Sequence, residues 1–192
     1  MKILKKHIDW NDFLNFVIVL SILMGIELLI MNFISVRTTM TSSMDPSFKV
    51  GGVQLDRAYF GEKLKRGTAI GFDYPYEDKV KHLGKRIIGL PGEEIKINKK
   101  GVYINGKLLN EPYVSKDANY DNIDATFVVP KDCYFVMGDN RNDSLDSRFF
   151  QEPFVHKSWI TRITYATINK EGFSLEKGSS KSKYANLQIP NL

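Results

Sequence analysis

Two side chains in this sequence could perform acyl-transfer chemistry together. Ser43 lies in Ser43-Met44-Asp45-Pro46-Ser47, and Lys85 opens Lys85-Arg86-Ile87-Ile88-Gly89-Leu90-Pro91-Gly92-Glu93. A serine hydroxyl is a weak nucleophile until a base takes its proton. A lysine amine is an ordinary acid of pKa ~10.4 and serves as a base only when burial disfavours its charged form. Ile87, Ile88 and Leu90 offer the apolar surroundings that would do this. A third block, Gly138-Asp139-Asn140-Arg141-Asn142-Asp143-Ser144-Leu145-Asp146-Ser147-Arg148, is a polar loop able to hold both groups in place.

Each block has a plainer reading. Ser43 in Thr41-Ser42-Ser43 alone would be a solvated turn residue. Lys85 and Arg86 alone would be two exposed bases on a strand, and the third block an Asx-rich turn. Three blocks in one order behind a hydrophobic segment outweigh these readings. His82 or His156 would be needed for a Ser-His-Asp arrangement, and neither lies in a recognisable motif. Glu93 and Glu94 are adjacent, so their carboxylates diverge and read as solvated charges. One cysteine and three histidines supply neither an intrachain disulfide nor a metal-ligand cluster. Cys133 stands in the apolar run Cys133-Tyr134-Phe135-Val136-Met137 and is expected to be a buried strand residue.

The elements that must position these groups are a hydrophobic segment and a β-rich body. Phe13 to Ile34 is a 22-residue apolar stretch, as a helix roughly 33 Å long and about the thickness of a bilayer core. Glu27 interrupts it, at a cost of about 3 kcal/mol on insertion scales. The stretch is too long for a cleaved signal peptide, and no small-x-small site follows. It reads as a transmembrane anchor, with residues 1–12 before it. Lys2, Lys5 and Lys6 precede it, and Arg37 and Lys49 follow, a weak charge asymmetry.

After Arg37 the pattern is one of short strands, punctuated at Gly51-Gly52, Tyr74-Pro75-Tyr76, Pro91-Gly92 and Lys100-Gly101. Asn105-Gly106 between Gly101-Val102-Tyr103-Ile104 and Lys107-Leu108-Leu109 predicts a tight β-hairpin. Further strands are expected at 69–72, 126–129, 134–137 and 160–165. From Glu176 the chain turns polar, and residues 177–192 read as a disordered tail. At 192 residues, 43% hydrophobic and 26% charged, the chain suits one folded domain plus an anchor. Its net charge of +5 comes from scattered lysines without a nucleic-acid-binding motif; a mildly basic protein beside an anionic membrane accounts for it.

The three blocks resemble those of the type I signal peptidases, and length and order resemble the short Gram-positive members. The resemblance runs roughly from the hydrophobic segment to Phe150. It implies a mainly β fold with one N-terminal transmembrane helix, a catalytic body over 35–176 and an inserted β region at about 93–130. It implies a membrane-anchored serine endopeptidase, a hydrolase that uses a Ser-Lys dyad and no cofactor or metal. Its partners would be secreted preproteins and the cell membrane, not nucleic acid. The N-terminus would be cytoplasmic and the body extracytoplasmic. The substrate would lie extended along a strand edge, with small residues before the cut seated in shallow apolar pockets.

Residue by residue, the resemblance makes Ser43 the nucleophile and Lys85 the base. Ser144 would orient the lysine, and Thr41 would add its hydroxyl to the oxyanion donor formed by the Ser43 N–H. Asp139, Asp146 and Arg148 would tie the third block to the core. Side chains alternate along a strand, so Arg86 should face away from Lys85 and form a structural ion pair. The sequence departs from the family at Thr68, where an aspartate is usual, and at Gln151, where a glycine is usual. It also departs over Glu152 to Trp159 and at Glu27. These changes are compatible with a specialised peptidase serving a restricted set such as pilins. A rival of another class is a non-catalytic accessory protein of pilus assembly. A self-cleaving Ser-Lys repressor would need a DNA-binding domain where the anchor stands.

Overall fold

The computed structural model describes residues 9–121, 123–169 and 172–175. The tail expected over 177–192, and residues 1–8, lie outside the described residues. The chain begins with one helix, α1 (Trp10–Phe33). It starts three residues before the expected segment and stops one residue short of its end, because Ile34 already belongs to a strand. Its Leu, Ile, Val, Met and Phe side chains are exposed on every described face. A helix apolar all round and exposed over residues 10–28 is suited to a bilayer, not to water. Over Trp10–Leu28 it is long and apolar enough to cross a membrane. At its end Phe33 meets Phe60, with ring centroids 5.4 Å apart.

The body is made of β-strands in two sheets. The larger sheet uses β1 (Ile34–Thr38), β2 (Val53–Ala58), β3 (Ala69–Tyr76) and β4 (Lys79–Gly89). The smaller uses β5 (Glu94–Asn98), β6 (Gly101–Ile104), β7 (Lys107–Leu108) and β8 (Ala125–Val128). The chain then returns to the larger sheet through β9 (Cys133–Met137), β10 (Val155–His156), β11 (Ile160–Asn169) and β12 (Gly172–Leu175). The larger sheet runs β1-β2-β11-β3-β4-β9-β10, with β12 also paired to β11; the smaller runs β7-β6-β5-β8. All these pairings are antiparallel.

The Asn105-Gly106 hairpin forms with both residues at positive φ, 48° and 80°, the geometry of a two-residue turn whose twist matches the strands. Two expectations need correction. Tyr74-Pro75-Tyr76 does not break the chain; it is the end of β3. Pro75 faces Val80 on β4, and the β11 pairing on the other side ends at Phe72, so the missing N–H leaves no gap in a ladder. Cys133 is only half-buried, because it begins β9, whereas Tyr134 to Met137 are buried.

Two apolar cores result. One joins Ile70, Phe72, Tyr74, Ile87, Val136, Phe150 and Ile163 on the larger sheet. The other joins Ile95, Ile97, Val102 and Ile104 of the smaller sheet to Ile88, Phe135 and Met137. Strands β4 and β9 therefore contribute to both cores, so the two sheets share a wall. The site lies against this wall.

Candidate active site

Ser43 sits in a single 3-10 turn, Ser42–Met44, just after β1. Met44 anchors that turn by packing with Phe48 and Ala69. The third block fixes it from the other side. The Asn140 N–H donates to the Ser43 carbonyl (3.2 Å), and the Asn140 amide donates to the Ser42 carbonyl (3.2 Å). The Ser42 hydroxyl donates to Asp143 (2.6 Å). Ser43 itself is half-exposed, as a nucleophile that must meet a substrate has to be.

Lys85 reaches the turn from β4. Its Nζ donates to the Ser43 Oγ at 2.7 Å. The Thr41 hydroxyl lies 3.3 Å from the same Oγ. Lys85 is 3% exposed, and burial pulls its amine down from the ordinary lysine value to about 8. Asp146, Asp139 and Asp143 oppose that fall and Arg148 assists it, but desolvation dominates. An amine of this pKa is partly neutral at physiological pH and can accept a proton.

Arg86 faces the other way, as alternation requires. It forms a two-pronged ion pair with Asp139, with Nε to Oδ1 at 2.7 Å. A third bond runs from its Nη1 to the Gly67 carbonyl (2.8 Å). Its guanidinium stacks 4.4 Å over the Tyr113 ring. Asp146 and Arg148 form a second buried pair through two bonds of 2.8 Å. Asp146 also accepts the Gly138 N–H (2.9 Å), and Arg148 donates to the Arg141 carbonyl (2.9 Å). Each buried charge thus has a partner and further hydrogen bonds, the condition under which such pairs are tolerated.

Ser144 does not make the bond expected of it. Its Oγ is buried and has no hydrogen-bond partner. It lies across Gly138, where an added Cβ would come within 2.2 Å of the Ser144 Oγ and 2.3 Å of the Ser43 carbonyl. Any side chain at position 138 would drive the nucleophile turn and the third block apart.

Two ion pairs supporting the site were not anticipated from the sequence. Glu93 is not a solvated charge; Arg66 holds it through Nη1 (2.8 Å) and Nη2. Its Oε2 also accepts the Leu90 N–H (2.7 Å). Arg141, inside the third block, pairs with Glu111 beyond the smaller sheet. The only available signal was the presence of Arg141 and Glu93 within the blocks; their partners are distant in sequence. Of the two histidines weighed as bases, His82 hydrogen-bonds Asp73 (2.6 Å) and His156 bonds Ser158 (2.7 Å). Neither takes the Ser43 hydroxyl. Among the described residues, no group of three His, Cys, Asp or Glu side chains could hold a metal ion.

A cavity of about 200 Å³ opens beside Ser43. Met40, Met44, Phe72 and Leu83 contribute apolar surface, and Thr39, Gln54, Asp56, Asp73, His82 and Arg162 contribute polar surface.

The chain is similar in sequence to known proteins. The chain is 46% identical over 98 residues to "Signal peptidase I P" of Bacillus subtilis subsp. natto, covering 47% of this chain and 51% of that protein. It is 41% identical over 118 residues to "Signal peptidase I" of Bacillus licheniformis, covering 56% and 62%. The matches thus span about half to three-fifths of those relatives' length. A crystal structure of a signal peptidase I from Enterococcus faecalis V583 aligns at 36% identity over 52% of this chain and 94% of that one, with TM-score 0.43. The family model described as "Signal peptidase, peptidase S26" matches residues 10–166, and the chain belongs to that family.

Proposed function

We propose that this protein is a membrane-anchored serine endopeptidase that removes N-terminal signal peptides from exported preproteins. The observation that carries the reading is the 2.7 Å bond from the buried Lys85 amine to the Ser43 hydroxyl. Neutral Lys85 takes the Ser43 proton as Oγ attacks the scissile carbonyl. The tetrahedral oxyanion is held by the Ser43 N–H, with the Thr41 hydroxyl beside it. Lys85 then hands its proton to the leaving amine, and the signal peptide stays as an ester on Ser43. Water, deprotonated by Lys85, attacks that ester; Lys85 returns the proton to Ser43 and the acid leaves. No step calls on a metal or cofactor.

The substrate reaches Ser43 along a free edge. Beyond Arg86 towards Lys79, strand β4 pairs with β3 but not with β9. An extended peptide can add there as a strand. In this reading residues 1–12 lie on the cytoplasmic side, 13–34 are the anchor and 35–176 the outer catalytic body; the exposed apolar helix α1 supports an anchor that would keep this edge near a bilayer surface. The Ser43–Lys85 bond favours this reading over an accessory protein without catalysis. The finer form, a restricted set of preproteins such as pilins, rests on the departures from the family at Thr68, Gln151 and Glu27. The test is incubation of detergent-solubilised protein with a panel of preproteins, Ser43→Ala alongside. Cleavage at the signal-peptide junction by wild type alone is expected; cleavage by neither protein sinks the proposal.

A further inference from the structure

The bonds between the nucleophile turn and the third block close into a ring. The Ser42 hydroxyl donates to Asp143 Oδ2 at 2.6 Å. The Asp143 N–H donates to Asn140 Oδ1 at 3.2 Å, sharing itself with the Asn140 carbonyl at 3.2 Å. The Asn140 Nδ2 donates to the Ser42 carbonyl at 3.2 Å. This ring fixes which way round the Asn140 amide lies. Turned over, its oxygen would face the Ser42 carbonyl and its NH2 group the Asp143 N–H, and both bonds would be lost.

The ring acts on one peptide plane. The Ser42 carbonyl and the Ser43 N–H belong to the same peptide unit, which is planar and trans, so they point in opposite directions. Holding the carbonyl therefore aims the N–H. The Asp45 N–H also donates to that carbonyl (2.9 Å), but Asp45 belongs to the turn itself and moves with it. The Asn140 bond is different. It ties the plane to the third block, which the Arg86–Asp139 pair fastens to β4, the strand that carries Lys85. The plane after Ser43 is tied to the same residue, through the Asn140 N–H on the Ser43 carbonyl (3.2 Å). Among the described residues the Ser43 N–H itself donates to no protein group, as a donor kept for a substrate oxygen must.

We propose that Asn140, braced by Ser42 and Asp143, is the positioning residue of the oxyanion donor: it sets the Ser42–Ser43 peptide plane so that the Ser43 N–H meets the oxygen of the tetrahedral intermediate. None of the three side chains touches the reacting atoms; each acts through that plane. Such a donor is effective only when aimed in advance at the place where charge develops. The inference rests on the peptidase reading and goes beyond it. The dyad accounts for attack and proton transfer, whereas the oxyanion donor is a backbone group that neither Lys85 nor the Ser43 hydroxyl can orient.

The experiment measures kcat and KM of the full detergent-solubilised chain on one preprotein, with the thermal midpoint of each variant alongside. Rates are compared on the alkaline plateau, where Lys85 is neutral throughout, so the charges that Asp146, Asp139, Arg148 and Asp143 place around the amine do not enter. Asn140→Asp keeps the shape but puts an acceptor where the donor was. Its kcat should fall roughly tenfold to a hundredfold, short of the loss of a whole oxyanion donor, with KM within about twofold. Ser42→Ala and Asp143→Ala open the ring and should each lower kcat several-fold. Ser42→Thr keeps the hydroxyl and Asp143→Asn keeps the acceptor, and each should recover most of that loss. If Asn140→Asp does not fold, those two pairs decide. Wild-type kcat in Asn140→Asp, a loss carried by KM, or conservative variants no better than their alanine counterparts overturns the inference and leaves the peptidase standing. No cleavage by wild type removes both.

Discussion

Lys85 and Arg86 are adjacent, both buried, and serve opposite faces of β4: Lys85 meets the Ser43 hydroxyl, and Arg86 the Asp139 carboxylate. Burial without a carboxylate in contact desolvates Lys85 and lowers its pKa; Arg86 is fully paired, so it holds the third block to the sheet. The alternation of a strand thus separates the chemistry from the support.

The first prediction concerns that dyad. Ser43→Ala and Lys85→Ala should each abolish preprotein cleavage, and the double variant should be no worse than either, because members of a catalytic unit are not additive. His156→Ala, whose ring bonds Ser158 and not Ser43, should keep its activity. Loss of cleavage in a folded His156→Ala protein would point to another base.

The second is a pH dependence. The Lys85 amine in the folded protein has a pKa lowered to about 8, and its neutral form is the reactive one. Activity should therefore rise with pH through about 8. For stability the sign follows from proton binding: between the folded value and the unfolded one, the unfolded chain holds the extra proton. Stability should accordingly increase with pH across that window, and Lys85→Met should be more stable than wild type at neutral pH by on the order of 2–3 kcal/mol. A rate that declines steadily from pH 6 to 9 without unfolding would rule out a lysine base.

A third prediction separates stability from catalysis at Ser144. Its buried hydroxyl has no partner, and such a group costs about 1–3 kcal/mol. Ser144→Ala should not lower the thermal midpoint. If the hydroxyl turns to Lys85 during catalysis, kcat should fall with KM little changed. Equal kcat in the variant would remove Ser144 from the site while leaving the dyad intact.

Breaking the support pair should be severe. Asp139→Ala leaves Arg86 buried without its carboxylate, a loss of about 3–5 kcal/mol. Denaturant titration of the detergent-solubilised chain would measure it. A loss under about 1 kcal/mol, the scale of an exposed pair, would mean that water enters to replace the carboxylate.

The anchor makes a topological prediction. Protease added outside wall-stripped cells should digest the body and spare the first dozen residues, and Glu27→Leu should insert at least as well as wild type because it removes an ionisable group from hydrocarbon. A protected body would overturn the orientation and with it the proposed substrate.

Local chemistry made part of this protein legible in its sequence. The apolar run predicts the helix because a bilayer-length stretch of Leu, Ile and Val has few other uses. Asn105-Gly106 predicts its hairpin because those residues accept positive φ. Ser43, Lys85 and the third block were identifiable because their order and residue types match a family, and Arg86 could be turned away from Lys85 by alternation alone. Residues 42 positions apart cannot be placed at 2.7 Å by any local rule. That contact required the strand order β3-β4-β9, which sets Lys85 beside the turn that Asn140 clasps. The same long-range pairing chose Arg66 for Glu93 and Glu111 for Arg141. It also closed Ser42, Asn140 and Asp143, drawn from the nucleophile turn and the third block, into one ring of hydrogen bonds. Residue types set which groups exist and which backbone conformations they allow. Tertiary structure decided which groups meet and which lose water, and so which amine becomes a base, because desolvation and ion pairing depend on neighbours that only the folded sheet assembles.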